Sequence, residues 1–412
     1  MTGRAGFSLY TPPLFCYSNR SLYSFGEIMA LKKYSTLLPV IFTTILALSA
    51  LYAPQPLLPV LSREFAVSRE AAAALTTVTF IPLALAPLFY GYLLETISPV
   101  RVLKIAIPLL AVSELFFAAA SSFPLLLAIR LGQGLLVPAI LTSLMTYLSS
   151  RSSADTIQRA MAIYIASTIF GGFIGRAISG FIANYFGWRF SFLVLAVSLA
   201  AGFLLLLRMS EAGDIKVTKP RPRALLEVLR QPGFLPVYLS VFCLFLIFAA
   251  VMNFLPFRLT ELSEQANELR IGLMYSGYMM GIVTSLGAPW FVARVGGQVK
   301  TIRIGLLALA LTLIGLVGEQ IWLLFVMLFL FCGAMFLVHS TASGLVNQMA
   351  GSSHRGLTNG LYVAFYYAGG SVGSFAPGIV YRHYGWSGFL FLLVLICVLG
   401  YACAGRSRTA HQ

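Results

Sequence analysis

Twelve stretches of mostly apolar residues, each near the length a helix needs to cross a bilayer, follow one another along this chain. About 20 such residues suffice for one crossing. The stretches cover 36–60, 71–94, 102–121, 124–148, 158–183, 190–208, 234–257, 271–293, 302–318, 321–346, 358–381 and 387–405. Hydrophobic residues make up 59% of the 412 and charged residues only 10%, against about 25% charged in a soluble domain. A water-exposed fold of this length has nowhere to hide that apolar surface, whereas a bilayer accepts it. The expected fold class is therefore all-α integral membrane, with twelve transmembrane helices.

Connections between the stretches are short except at 209–233, where Lys216, Lys219, Arg221, Arg223 and Arg230 alternate with Pro220, Pro222 and Pro232. That basic linker divides the chain into a bundle at 34–208 and a bundle at 234–405, flanked by tails at 1–33 and 406–412. Met29, followed by Ala-Leu-Lys-Lys, is the expected start of translation, because residues 1–28 lack the apolar core and small-residue cleavage site of a signal peptide. A net charge of +15 raises nucleic acid as a partner. The basic residues nevertheless sit between apolar runs and form no single patch, so no nucleic acid is expected. With the N-terminus inside, most of the 28 lysines and arginines fall on the cytoplasmic side, as the positive-inside rule requires. Both termini are thus expected in the cytoplasm of a cell whose inner membrane holds the chain. Trp188, Trp290, Trp322 and Trp386 all fall near predicted helix ends, the place of an interfacial belt.

The two halves repeat. Residues 162–188 and 360–386 align without gaps: Tyr164 matches Tyr362, while Gly171, Gly172, Gly175 and Gly180 match Gly369, Gly370, Gly373 and Gly378. Gly187-Trp188 likewise matches Gly385-Trp386. A duplicated six-helix unit is the arrangement by which alternating-access transporters hold a substrate between two rocking halves.

Several motifs then converge. Arg130-Leu-Gly-Gln133-Gly134 fits R-x-x-Q-G in the fourth helix. Gly171-x-x-x-Gly175-Arg176-x-x-Ser179-Gly180 fits G-x-x-x-G-P-x-x-G-G in the fifth, with Arg176 in the place of the proline. The loop after the second helix keeps Gly91, Glu95 and Arg101 of a G-x-x-x-D-R-x-G-R-K pattern and departs from it in the middle. On these residues, over nearly all of Met29–Gly405, the chain resembles the major facilitator superfamily. Through Gln55-Pro-Leu-Leu-Pro, Gly175-Arg176, His339-Ser340 and Tyr366-Tyr367 it is most similar to that family's YnfM-like inner-membrane transporters.

The resemblance implies two pseudo-symmetric six-helix bundles, a monomer, proton coupling at Arg130 and a gating role for Gly91, Glu95 and Arg101. It also implies a cavity lined by helices 1, 4, 7 and 10. The polar residues there, Tyr52, Gln55, Gln133, Asn253 and His339, are the candidates for substrate contact. Each also has a plain structural reading as an interhelical hydrogen bond.

Buried charge adds an expectation of its own. Glu114 is the one acid well inside a predicted span, and Arg130 and Arg176 are the bases. Counted from the helix ends at 1.5 Å per residue, all three lie at a similar depth, roughly 10 Å below the outer boundary. An unpaired charge at mid-bilayer costs about 2.5–3.5 kcal/mol, so a pair of Glu114 with Arg130 or Arg176 is expected, exchanged for a proton during transport or else static. Gly171, Gly175 and Gly180, with Gly369 and Gly373, are read as small residues that let helices approach closely where the two halves meet.

Rival functions lack their chemistry. The sequence holds no GxxxxGK[ST] phosphate loop for a pump, no HExxH for an enzyme, and no filter-like charged ring for a channel. Cys16, Cys243, Cys332, Cys397 and Cys403 show no CxxC or metal-ligand spacing, so no metal or cofactor is expected. The leading reading is a secondary active transporter that exports a small organic molecule in exchange for protons. Proton-coupled uptake or exchange of a sugar or metabolite is the alternative.

Overall fold

The computed structural model describes residues 37–93, 97–151, 154–207, 227–350 and 355–407. The expected start at Met29, Glu95 and most of the basic linker lie outside them. Among the described residues the chain forms twelve helices: α1 Leu37–Glu64, α2 Arg69–Leu93, α3 Pro99–Ala119, α4 Phe123–Arg151, α5 Ala154–Phe186 and α6 Trp188–Leu206. After the linker come α7 Phe234–Leu262, α8 Glu268–Val295, α9 Gln298–Gly315 and α10 Ile321–Met349. The final helical stretch, Arg355–Gly405, is two spans, α11 (355–384) and α12 (386–405), because the backbone leaves helical geometry at Gly385.

Gly385 has φ 68° and its counterpart Gly187, between α5 and α6, has φ 87°. Both turn the chain in a conformation that a side chain disfavours, and both are followed by the tryptophan that starts the next span. The duplication therefore sets the same corner twice.

The bundle's outer surface is apolar. Phe89, Val197, Leu286, Trp290 and Leu311 each expose more than two thirds of their surface. Contiguous apolar area on this scale aggregates in water and is ordinary in lipid. Inside each half, α3 packs on α6 and α9 on α12. The halves meet along α2 against α11 and α5 against α8.

The glycine expectation is corrected at four positions. A Cβ on Gly171 or Gly175 would strike the backbone of α1 at Ile45 and Ser49, within the same half. Gly369 and Gly373 meet α7 at Phe242 and Leu246 in the same way. These glycines seat one helix on another inside each bundle. Contact between the halves belongs to Gly180, which faces the Glu268 carbonyl and Gly272 of α8, and to Gly172, which faces Tyr278. The split follows from helical geometry: positions 171 and 175 share one face of α5, while 172 and 180 lie on a neighbouring one.

The repeat extends beyond its sequence-visible segment. Tyr164 donates to the Leu141 carbonyl at 3.0 Å, and Tyr362 donates to the His339 carbonyl at 3.0 Å. Donors and acceptors are both counterparts at the offset that relates the two glycine runs.

Candidate functional site

Proline builds the centre of α1. Having no N–H, Pro54 cannot bond the Ala50 carbonyl and Pro56 cannot bond that of Tyr52. The helix tightens into a 3-10 turn over Gln55–Leu57, and Leu57 bonds Pro54 in place of Ala53. Orphaned carbonyls in a membrane need donors from elsewhere. Arg130 of α4 supplies them: Nη1 donates to the Ala50 carbonyl at 3.0 Å and Nη2 to that of Leu51 at 2.7 Å. Nε reaches the Leu75 carbonyl of α2 at 3.3 Å, and Nη1 also reaches Gln133 at 2.8 Å. Ser179 of α5 donates to the freed Ala53 carbonyl at 2.8 Å.

The same break points Gln55 at the axis between the halves. Arg176 Nε donates to Gln55 Oε1 at 2.6 Å, and Gln55 Nε2 donates to Asn253 Oδ1 at 2.7 Å. Gln55 and Asn253 are counterparts in the repeat, so equivalent residues of α1 and α7 meet where the halves face each other. Thr76 of α2 adds a 3.3 Å bond to the same Asn253 oxygen. Arg176 Nη1 donates to the Gly172 carbonyl of its own helix. The guanidinium lies over three tyrosine rings, with centroids at 4.1 Å for Tyr52, 5.0 Å for Tyr275 and 4.7 Å for Tyr278. Such contacts are each worth about 0.5–2 kcal/mol. Arg176, Gln55 and Asn253 are all essentially inaccessible to solvent.

Of the residues expected from sequence, the structure thus gathers Tyr52, Gln55, Asn253 and Arg176 into one cluster. Gln133 stands with Arg130 and donates to Ser113 of α3 at 3.1 Å. His339 sits aside, its Nδ1 2.9 Å from the Tyr362 hydroxyl and its ring 4.8 Å from that of Tyr366. Tyr366 stacks at 3.7 Å on Phe245, which links this aromatic wall to Phe80 and Phe248. Gly91 lies near the end of α2, and Arg101 is exposed in the first turn of α3.

The expected ion pair of Glu114 is absent. Arg130 is the charge that faces it, but both carboxyl oxygens are buried with no hydrogen-bond partner among the described residues. The reason is competition: the α1 and α2 carbonyls hold the Arg130 donors, and Arg176 lies against Gln55 and the tyrosines. The sequence reading missed Thr76, Tyr275 and Tyr278. Tyr275 and Tyr278 are three apart, a helical spacing that puts both rings on one face of α8.

One end of the bundle, opposite the two termini, is closed by ion pairs between the halves. Arg69 of α2 bonds Glu261 of α7. Arg63 lies 3.8 Å from Glu268, and Arg382 lies 3.7 Å from Glu70. Arg63 and Glu261 are repeat counterparts, as are Glu70 and Glu268, so equivalent positions of both halves supply this closure with different pairings. Tyr381 donates to Glu261 at 2.7 Å and lies beneath Arg69.

Comparison with known proteins agrees with this architecture. The family model described as Major Facilitator Superfamily matches residues 40–296 and 260–411. The inner membrane transport protein YnfM of Escherichia coli K12 is 28% identical over 358 residues, covering 85% of each chain. A crystal structure of a bacterial homologue of the human lysosomal transporter Spinster, inward-facing and occupied, superposes with a TM-score of 0.75 at 15% identity. It covers 92% of this chain and 97% of its own. The nucleoside transporter NupG gives a TM-score of 0.75 at 13% identity, covering 90% of this chain and 100% of its own.

Proposed function

Because this chain belongs to the major facilitator superfamily, we propose that it exports a small organic molecule in exchange for protons, by alternating access. Secondary transport is the ground that the family and its transporter-named relatives supply. The observation that carries the finer reading is the buried polar cluster at Arg176, Gln55 and Asn253, where counterpart residues of both halves touch. A hydrogen bond across that seam changes whenever the halves rock, so a molecule bound there is handed from one side to the other. With both termini in the cytoplasm, the ion-paired end faces outward and this state is closed to the outside.

Glu114 is the proposed proton carrier, as a buried acid with no hydrogen-bond partner in this state. Its neighbour Arg130 holds the α1 break, and the break holds Gln55. A proton moving on or off Glu114 alters the field at Arg130, and through the α1 carbonyls it reaches the substrate site.

The test is accumulation of labelled dyes, drugs and sugars by cells expressing the chain, with and without a protonophore. Lower accumulation that the protonophore abolishes is expected; higher accumulation would reverse the direction. Glu114→Gln should fold, since a neutral amide of nearly the same shape replaces the carboxyl, and should lose at least tenfold in protonophore-sensitive export. Unchanged coupling in that variant removes Glu114 from the mechanism.

A further inference from the structure

The hydrogen bonds at the axis fix which atoms remain free. Arginine only donates, so the Gln55 atom facing Arg176 Nε is its oxygen, and Gln55 must turn its NH2 toward Asn253. Asn253 therefore presents its oxygen to Gln55 and to Thr76, which leaves Nδ2 over. Two buried nitrogens of this cluster, Asn253 Nδ2 and Arg176 Nη2, have no hydrogen-bond partner among the described residues. One comes from each half, and both are donors. The oxygens of Gln55 and Asn253 are already engaged. A site whose two unpartnered nitrogens are both donors complements a ligand that accepts, and an ionised carboxylate only accepts.

Charge points the same way. Arg176 forms no ion pair with an acid of the described residues; its company is Gln55, the Gly172 carbonyl and tyrosine rings. Buried Glu70 is paired with Arg382 at the closed end, and deeper in the spans Arg130 and Arg176 stand against Glu114 alone, so positive charge is in excess there. Membrane interiors place such charge where a substrate or an ion balances it. Rings surround the head site: Tyr52 contacts Phe80 and Tyr278, and Tyr278 contacts Phe248 and Phe336. Their faces suit an apolar or aromatic body attached to the anion.

We infer that the central site binds an organic monocarboxylate, its carboxylate held by Arg176 Nη2 and Asn253 Nδ2 and its body by the aromatic wall. This rests on the reading of the cluster as the transport site and specifies the class of molecule it takes. Arg176 is then the substrate's counter-ion, standing where the family motif has proline, and proton movement is left to Glu114.

Binding to the purified full-length chain in detergent tests this with no gradient and no transport. Thermal unfolding is followed with isosteric pairs as probes: benzoate and benzamide, salicylate and salicylamide, hexanoate and hexanamide. The carboxylate of at least one pair should raise the melting temperature while its amide does not. Arg176→Gln should weaken that carboxylate at least tenfold, about 1.4 kcal/mol, and Arg176→Lys should recover part of the loss. Without ligand, Arg176→Gln loses the Gln55 hydrogen bond and three ring contacts while removing a buried charge, so its ligand-induced shift is read against its own unliganded melting temperature.

Stabilisation by amides equal to that by carboxylates, stabilisation by neither, or unchanged binding in Arg176→Gln would overturn the inference. The comparison of carboxylate with amide on the unaltered protein holds even if a variant fails to fold. Failure here leaves proton-coupled export standing, and failure of export in cells leaves the binding result intact.

Discussion

Gly175→Leu is expected to leave little folded protein, whereas Gly180→Leu is expected to fold and to stop transport. Both glycines sit on α5 and both lie in small-residue spacings, but their neighbours differ. A Cβ at Gly175 comes within 2.8 Å of Ser49 Cβ and 2.9 Å of the Ser49 carbonyl oxygen on α1. Helix α1 belongs to the same bundle and is pinned by Arg130 and Ser179, so it cannot retreat. Overpacking a tight core costs about 1–3 kcal/mol even for small additions, and a leucine at this crossing adds more. At Gly180 a Cβ comes within 3.2 Å of Gly272 Cα, across the seam between the halves. The halves can relieve that clash by staying apart at the outer end, which leaves each bundle intact and the cycle unable to close. Size-exclusion profiles and melting curves separate the two outcomes, with export measured beside them. Equal expression, melting and activity in the two variants would contradict the assignment of α5 faces.

Arg130→Lys is expected to abolish transport and to destabilise the protein nearly as much as Arg130→Met. The guanidinium fork spans two α1 carbonyls, one α2 carbonyl and Gln133. An ammonium carries the charge but has three donors on one nitrogen and cannot span that spread. Hydrogen bonds of charged groups are worth about 1.5–3 kcal/mol each. Losing two of them, with the Ala50 carbonyl left orphaned beside Pro54, predicts a fall of several kcal/mol in stability. Full activity in Arg130→Lys would show that charge alone matters, and that the carbonyl contacts are incidental.

The spans, the duplication and the corner glycines were legible because each is a local property: apolar run length, a fixed offset, a Gly-Trp step. Meetings between distant helices were harder to read. Gln55 and Asn253 are related by the offset that aligns the two glycine runs, but the offset marks equivalent positions only, and their contact depends on both lying at the axis between the halves. Depth alone makes both Arg130 and Arg176 candidate partners for Glu114. Depth does not fix azimuth around a helix axis, and the direction of Arg176 is set by Gln55 and three rings. Tyr275 and Tyr278 were hidden in an aromatic-rich background, where no ring stands out by type. The ion pairs at the closed end involve loop-flanking charges whose partners lie about two to three hundred residues away, and sequence order carries no sign of that pairing.

Motion of the halves about the axis is the claim on which the rest depends. It is tested by the distance between spin labels at Ala66 and Glu264, exposed counterparts beside the ion-paired end, with the native cysteines replaced and the protein in bilayers. Exposed pairs are worth about 0–1 kcal/mol each, so Glu261→Gln with Glu268→Gln should shift the closed-to-open ratio several-fold. The account predicts one short distance in the parent and a second, longer population in the double variant. A single distance that the substitutions leave unchanged would contradict it.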